Sequence, residues 1–261
     1  MRDTEIALEV ARAGAEVVRR GFETRPEVRM KGVVDPVTAV DDAAEAAIFD
    51  AIERLAPGDA VLGEESGGSG WDSERVWIVD PLDGTVNFVH GIPHFSVSVA
   101  VWERGEPVAG AVIDVMHGEE FTGGRGEGTH LDGHPVSVSR AELGGAVIVT
   151  GFPYDRQGHA EAYARVVGKV LERVQGVRRL GSAALDLAWV SCGRFDGYWE
   201  YGLGPWDAAA GMLLVEEAGG TVTDHDGARY RLDSRTVVAA SPRIHSALRE
   251  TVAENLPAHL R

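Results

Sequence analysis

Acidic residues recur in this sequence where an apolar, strand-like run gives way to turn residues. Four segments show the arrangement: Asp41-Asp42, Gly63-Glu64-Glu65-Ser66, Asp80-Pro81-Leu82-Asp83-Gly84-Thr85 and Pro205-Trp206-Asp207. Hard divalent cations such as Mg²⁺ take oxygen ligands, and usually only one or two of these are protein carboxylates. Turns at strand ends can bring such ligands together. The pattern therefore predicts a site for a hard divalent cation.

The peptide that begins at Asp80 is the densest of these segments. Alone it would be typical of a plain Pro/Asp-Gly turn, in which Pro81 fixes one backbone dihedral. That constraint lets the carboxylates of Asp80 and Asp83 and the carbonyl of Leu82 face one small volume, where Asp80 could bridge two ions. Gly84 permits close backbone approach, and the amides after it can open a helix whose N-terminus holds an anion. A phosphate there would contact cations on one side and amide dipoles on the other.

The elements that must position these residues begin with two amphipathic helices. One starts after Asp3 or Thr4, either of which can cap it, and Gly21 permits its exit. The other covers residues 38–55. Strand-length apolar runs at 60–62 and 76–79 then lead into the acidic segments.

The spacing of apolar residues changes further along the chain. From Ser96 to Ser139 the sequence is apolar at every second position or continuously apolar, which predicts an antiparallel meander. After about residue 143, strand-like and helical runs alternate, as is typical of an α/β arrangement. We expect two lobes, 1–143 and 144–261, within one compact unit.

Composition excludes several classes of protein. The 261 residues are 44% hydrophobic and 25% charged, which is ordinary for a globular chain. Lys plus Arg is 25 against 41 for Asp plus Glu, and a net charge of −16 repels a polyanion, so no nucleic-acid partner is expected. A single Cys excludes an internal disulfide framework and fits a reducing compartment. Neither a secretory signal nor a membrane span is read, so we expect a soluble, cytoplasmic protein that does not bind membranes.

Three stretches resemble the signatures of the inositol monophosphatase family. They are Gly63-Glu64-Glu65-Ser66, Trp77-Ile78-Val79-Asp80-Pro81-Leu82-Asp83-Gly84-Thr85-Val86-Asn87-Phe88, and Trp206-Asp207-Ala208-Ala209-Ala210-Gly211 with Glu217-Ala218-Gly219-Gly220. Together they are specific for a superfamily of Mg²⁺-dependent, lithium-sensitive phosphatases, and much less specific for the substrate. The fold that this resemblance implies is a layered αβαβα sandwich of the inositol monophosphatase and fructose-1,6-bisphosphatase type. It also implies a homodimer.

The same resemblance implies a set of metal ligands. Glu64, Asp80 and the Leu82 carbonyl would hold one Mg²⁺. A second ion would be held by Asp80, Asp83 and Asp207. Glu64 could also touch a third, weaker ion, and it is counted among the catalytic residues with Thr85 and Asp41.

Further residues are assigned to water and phosphate by the resemblance. Thr85 and Asp41 would orient the nucleophilic water and accept its proton, and the amides of Gly84 and Thr85 would hold the phosphate. Val86 stands where the family often has a second Thr, so any role of that hydroxyl is absent. Lys31 resembles a residue of a mobile loop that closes on the metals, although a lone Lys is equally typical of a solvated surface charge.

The substrate end of the site is also assigned by resemblance. Gly181 and Ala183 would offer backbone contacts to substrate hydroxyls. Glu200 would accept hydrogen bonds from them, and Asp207 is assigned to substrate binding as well as to the metal.

The implied reaction is hydrolysis of a small phosphate monoester. Myo-inositol monophosphate is favoured, because the segments 151–154 and 179–186 resemble bacterial members of that subgroup. Histidinol phosphate is the main alternative, since its ammonium would suit an acidic rim made by Glu200 and Asp186. Fructose 1,6-bisphosphate needs a second phosphate site, for which the sequence offers only Arg178 and Arg179.

A metal-dependent binding or regulatory protein without turnover is the alternative outside the enzymes. The presence of both Thr85 and Asp41 argues against it, because binding alone needs the metals but not a pair that orients water.

Overall fold

The computed structural model describes residues 1–24, 28–30, 36–68, 73–154, 156–257 and 260. Its helices are α1 (Asp3–Thr24), α2 (Ala39–Leu55), α3 (Thr85–Val89), α4 (Arg156–Leu171), α5 (Ala183–Ser191), α6 (Pro205–Glu217) and α7 (His245–Glu254). Its strands are β1 (Val28–Met30), β2 (Pro36–Thr38), β3 (Ala60–Gly63), β4 (Arg75–Asp83), β5 (Ser96–Glu103), β6 (Glu106–Asp114), β7 (Glu119–Gly124), β8 (Gly128–Leu131), β9 (His134–Val136), β10 (Val147–Thr150), β11 (Gly176–Arg178), β12 (Gly197–Tyr201), β13 (Thr221–Thr223) and β14 (Thr236–Ala240).

Two sheets organise the described chain, besides the small antiparallel pair of β1 and β2. The larger sheet has seven strands in the order β3-β4-β5-β6-β7-β8-β9, and only β3 and β4 run parallel. The smaller has the order β11-β10-β12-β14-β13, with β10 parallel to β11 and β12. The meander predicted from Ser96 to Ser139 is confirmed as β5 to β9.

Successive side chains along the strands belong to different apolar clusters. In β5, Val99 packs in the cluster with α1 and α2, whereas Ala100 lies in a central cluster with α5 and α6. In β12, Tyr198 belongs to the central cluster and Trp199 to an outer one with α4 and α7. Because neighbouring side chains of a strand face opposite sides, both sheets are covered on both faces. The layers run α1/α2, large sheet, α5/α6, small sheet, α4/α7, which confirms the predicted αβαβα sandwich.

Close packing in this sandwich explains two small-residue features. Gly21 does not end α1, which continues to Thr24; a Cβ at Gly21 would lie 2.5 Å from the Val40 side chain, so its bare backbone lets α1 approach α2. Gly211 does the same for α6, because a Cβ there would lie 2.6 Å from Leu187 of α5. The predicted helix exit at Gly21 is therefore wrong.

The acidic residues from Asp80 to Asp83 form the end of β4 rather than a separate turn. Asp80 pairs with Ser98 and Asp83 with Ser96, so the register shifts between them. Such a bulge bends a strand and redirects its side chains. It replaces the predicted turn while still gathering the acidic side chains.

None of the helices in the described part of the chain combines the length and the apolarity needed to cross a membrane.

Candidate active site

Three aspartates converge where β4 ends and α6 begins. Asp80 and Asp83 lie at the two sides of the β4 bulge, and Asp207 lies in the first turn of α6. Each offers a carboxylate oxygen within 4.8 Å of the others. The first two are buried and Asp207 is half-buried. The structure thus brings together three of the predicted metal ligands, from segments more than 120 residues apart in sequence.

The mutual repulsion of the three aspartates favours the binding of a cation between them. Burial raises the pKa of Asp80 well above its usual value, and the charges of Glu64, Asp83 and Asp207 raise it further. Burial and the charges of Asp83 and Glu64 likewise raise the pKa of Asp207. A divalent cation would relieve this repulsion, and carboxylate oxygens are the donors that Mg²⁺ prefers. The residues fit Mg²⁺.

The start of α5 holds the Asp83 carboxylate in place. Ser182 Oγ donates to Asp83 Oδ2 at 2.6 Å, and the Ala184 amide donates to the same oxygen at 2.7 Å. The Ala183 amide donates to Asp83 Oδ1 at 3.2 Å. Free amides at a helix N-terminus suit a carboxylate. The Ala183 amide is therefore engaged by Asp83, so a contact between Ala183 and substrate would need another of its atoms.

Asp207 and Asp80 are each oriented by a nearby amide. The Gly204 amide donates to Asp207 Oδ2 at 2.6 Å, and Pro205 occupies the start of α6, where its missing N–H costs nothing. The Leu82 amide donates to Asp80 Oδ1 at 3.0 Å. Each of these bonds uses one of the two oxygens of its carboxylate.

Glu45, a residue to which the sequence assigned no function, supports the segment that carries Glu64. Its buried carboxylate accepts hydrogen bonds from the amides of Glu65 and Ser66, each at 3.0 Å. A Cβ at Gly63 would lie 2.2 Å from Glu45 Oε2, so only glycine leaves room for this contact. The signal in the sequence that could have indicated this role is an acidic residue on the apolar face of α2.

Removing the Glu45 carboxylate should weaken cation binding without touching the ligands. We expect Glu45→Ala to raise the Mg²⁺ concentration for half-maximal activity by about 10-fold or more, the usual cost of losing a group that orients metal ligands. A Mg²⁺ titration of phosphate release measures this. Glu53→Ala, on the exposed face of the same helix, is the matched control. A half-activation value equal in both variants would contradict the supporting role.

Thr85 and Asp41 are brought together as predicted from the resemblance. Thr85 Oγ1 lies 3.1 Å from Asp41 Oδ1 and 3.0 Å from the Leu82 carbonyl oxygen. Thr38 caps α2 and donates to Asp41 Oδ2 from its amide at 2.9 Å and from its hydroxyl at 2.6 Å. Burial raises the pKa of Asp41, and the hydrogen bonds from Thr38 oppose that shift. The helix cap thus also positions a site residue.

A cleft of about 300 Å³, called the main cleft below, opens beside these groups. Its lining includes the site residues Asp83, Gly84, Thr85, Gly181, Ala183, Glu200 and Asp207. Gly84 precedes α3 with φ +99°, and a Cβ there would lie 3.2 Å from the Gly181 carbonyl, so glycine allows the two backbones to meet. Lys31 lies outside the described residues.

Comparison with known proteins identifies the family. The model of the inositol monophosphatase family matches residues 2–260. The chain belongs to this family. It is 42% identical over 264 residues to the protein named Nus factor SuhB of Pseudomonas aeruginosa, covering 98% of this chain and 97% of the relative. It is 45% identical over 234 residues to the inositol-1-monophosphatase of Mesorhizobium japonicum, covering 89% and 88%.

A solved structure agrees with the same conclusion. The inositol monophosphatase from Anabaena (Nostoc) superposes with a TM-score of 0.88 at 39% identity, covering 99% of this chain and 98% of that one. Family membership supports phosphatase activity. The names of the relatives, an enzyme in one case and a factor in another, do not agree on one role.

Within this inositol monophosphatase fold, Glu200 lines the main cleft together with Asp207. Tyr198 donates its hydroxyl to Glu200 Oε2 at 2.6 Å. Burial raises the pKa of Glu200 to about 8, although Tyr198 and the charge of Arg179 act in the opposite direction. A Cβ at Gly151 would lie 2.0 Å from either carboxylate oxygen of Glu200, so the glycine of the segment 151–154 makes room for this carboxyl.

The acidic rim expected from Glu200 and Asp186 is wrong. Asp186 is fully buried in α5 and does not line the main cleft. Arg156 and Arg179 line it instead. The Asp186 side chain lies in the protein interior, although Ala183 in the same turn of α5 lines the main cleft.

Proposed function

We propose that the protein hydrolyses a small phosphate monoester, with myo-inositol monophosphate as the favoured substrate. The observation that carries this proposal is the convergence of Asp80, Asp83 and Asp207 beside the Thr85–Asp41 pair at one cleft. In-line phosphoryl transfer depends on positioning and charge neutralisation more than on covalent chemistry. The aspartates would hold the cations that neutralise charge, and the Thr85–Asp41 pair would position the water.

Two Mg²⁺ ions are proposed as the resident cofactors. Glu64, Asp80 and the Leu82 carbonyl would hold one, and Asp80, Asp83 and Asp207 the other, with Glu64 available to a third. Bound Mg²⁺ supplies positive charge to the phosphate and the leaving oxygen and lowers the pKa of the attacking water.

The protein's own groups would hold and orient the reactants. When the Thr85 hydroxyl donates a hydrogen bond to Asp41, its lone pairs stay free to accept a hydrogen bond from the attacking water. Asp41 is then placed to receive the proton that the water loses. The amides of Gly84 and Thr85 would hold the phosphate, and Lys31 remains proposed as a loop contact.

Gly181, Ala183 and Glu200 are proposed to contact the hydroxyls of the substrate. A carboxylate at position 200 can accept hydrogen bonds from two neighbouring hydroxyls. With Arg156 and Arg179 also lining the cleft, an ammonium-bearing substrate is less suited than a neutral polyol.

Glu200→Gln tests this assignment and its dependence on pH. Because burial raises the pKa of Glu200 to about 8, the carboxyl is mostly protonated below that pH and ionised above it. Glutamine resembles the protonated form, so the ratio of wild-type to variant kcat/KM for inositol 1-phosphate should rise with pH. We expect about 10-fold to 100-fold near pH 9, the size of one or two charge-assisted hydrogen bonds.

Para-nitrophenyl phosphate, which has no hydroxyls to bind, is the control substrate and should be hydrolysed almost equally by both proteins. Equal losses on both substrates would place Glu200 in support of the metal site instead.

The decisive experiment for the function is phosphate release in the presence of Mg²⁺ from inositol 1-phosphate, histidinol phosphate and fructose 1,6-bisphosphate. The proposal expects inositol 1-phosphate to give the highest kcat/KM. A clear preference for histidinol phosphate or the bisphosphate would replace the substrate while keeping the reaction.

A second candidate is a metal-dependent binding or regulatory protein without turnover. The specific observation in its favour is the 42% identity to a relative named as a Nus factor. Absence of phosphate release from the whole substrate panel, with Mg²⁺ binding intact, would favour this candidate.

We propose that the protein does not bind nucleic acid, because its net charge of −16 repels a polyanion. We propose a homodimer, which sedimentation velocity can test.

A further inference from the structure

The side-chain amide of Asn87, in α3, joins two segments that lie far apart in the sequence. Its Nδ2 donates to the carbonyl oxygen of His94 at 2.7 Å and to that of Leu180, 93 residues away, at 2.8 Å. The side chain is buried, and both N–H groups of its amide are used. Asn87 does not itself line the main cleft, so its influence on a substrate would act through the segments that it holds.

These segments meet at the main cleft, which Gly84 and Gly181 both line. A Cβ at Gly84 would lie 3.2 Å from the Gly181 carbonyl oxygen and 3.3 Å from that of His94. A Cβ at Gly181 would lie 3.2 Å from Asn87 Nδ2. The backbone proposed to hold the phosphate therefore packs directly on the backbone proposed to contact the substrate hydroxyls, with the Asn87 amide beside the contact.

The two sides of this contact are not equally well held. Among the described residues, no hydrogen bond other than the one from Asn87 reaches the backbone of Leu180 or Gly181. The helix α3 has further support, because Phe88 is buried and its ring packs edge-on against that of Phe95, with centroids 5.3 Å apart. Loss of the Asn87 amide would therefore release the segment 180–181 rather than α3.

We propose that Asn87 is a positioning residue that sets the distance between the phosphate contacts at Gly84 and the hydroxyl contacts at Gly181, and so favours substrates that reach both. This role rests on the proposed phosphatase function. Inositol 1-phosphate would use both sets of contacts, whereas para-nitrophenyl phosphate, which has no hydroxyls, would use the phosphate contacts alone. A shift of about 1 Å in a positioning group can cost roughly 10²-fold in rate.

The selectivity ratio, kcat/KM for inositol 1-phosphate divided by kcat/KM for para-nitrophenyl phosphate, measures this role. We expect Asn87→Ala to lower the first kcat/KM by about 10-fold to 100-fold and the second by less than about 3-fold at saturating Mg²⁺, since only the first depends on both sets of contacts. Because both substrates are assayed with one preparation, the ratio does not depend on the fraction of folded protein. Asn87→Ser has a single donor and cannot bond both carbonyls, so it should lower the ratio as well, even if Asn87→Ala does not fold.

Asn255→Ala is the matched control, because Asn255 Nδ2 also donates to a backbone carbonyl, that of Thr251 at 2.8 Å, but does not line the main cleft. It should keep the wild-type selectivity ratio. Equal losses on both substrates in the Asn87 variants, or an unchanged ratio, would overturn the positioning role while leaving the proposed function in place. A wild-type protein that releases no phosphate from inositol 1-phosphate would overturn both.

Discussion

Asp80→Asn is expected to lower kcat by roughly 10³-fold, because Asp80 is proposed as a ligand of both ions and the charge stabilisation that the metals would supply is worth several kcal/mol. Phosphate release measured over a wide range of Mg²⁺ concentrations gives both kcat and the apparent Mg²⁺ affinity. Chelation with EDTA should abolish the wild-type activity, and added Mg²⁺ should restore it. Lithium inhibition is a further expectation from the family resemblance.

Thermal unfolding separates this loss of ligation from a loss of fold. The pKa of Asp80 is raised in the folded protein, so above the unfolded-state pKa its ionised carboxylate destabilises the metal-free fold. The neutral Asn removes that penalty. The metal-free variant should therefore melt at a higher temperature than the metal-free wild type, and Mg²⁺ should no longer raise its midpoint.

Asp226→Asn is the control for Asp80→Asn. Asp226 belongs to a surface acidic group with Asp224 and His225, and it is exposed. Its removal should change neither kcat nor the rise of the thermal midpoint with Mg²⁺. Full wild-type activity after EDTA and metal-free dialysis would show that the acidic cluster at Asp80 is not the metal site of the reaction.

Thr85→Ala should lower kcat by roughly 10²-fold, the size usual for loss of assistance to proton transfer. The reason is the contact of Thr85 Oγ1 with Asp41 Oδ1, which a methyl group cannot make. The Mg²⁺ concentration for half-maximal activity should stay close to that of the wild type, because the Thr85 hydroxyl is not among the proposed ligands. Steady-state kinetics at saturating Mg²⁺ gives the change in kcat.

Thr85→Ser provides the matched comparison, since it keeps the hydroxyl and removes only the methyl group. It should retain kcat within a few-fold of the wild type. If Thr85→Ala also retained kcat, the assignment of Thr85 and Asp41 to the attacking water would be wrong.

The sequence alone was enough to predict the features of this protein that depend on local chemistry. The helix over residues 38–55 was predicted from its amphipathic spacing of apolar residues, which acts within a few residues, and the structure places it at Ala39–Leu55. The meander followed from alternation along single strands. The acidic segments could be recognised as candidate metal ligands because Mg²⁺ strongly prefers oxygen donors. The family signatures led us to expect the αβαβα sandwich, which the structure confirms.

Tertiary structure decided what depends on segments far apart in the chain. Ser182 donates to Asp83 across 99 residues, and no local pattern indicates that pairing. The role of Glu45 depends on where α2 packs against the segment after β3, and the burial of Asp186 on which face of α5 meets the sheets. Local propensity acts over one helical turn or one strand pair, whereas burial and partner choice are settled only when the layers pack. The amphipathic helices, the meander and the acidic segments could therefore be predicted from the sequence, but the groups that support the site could not.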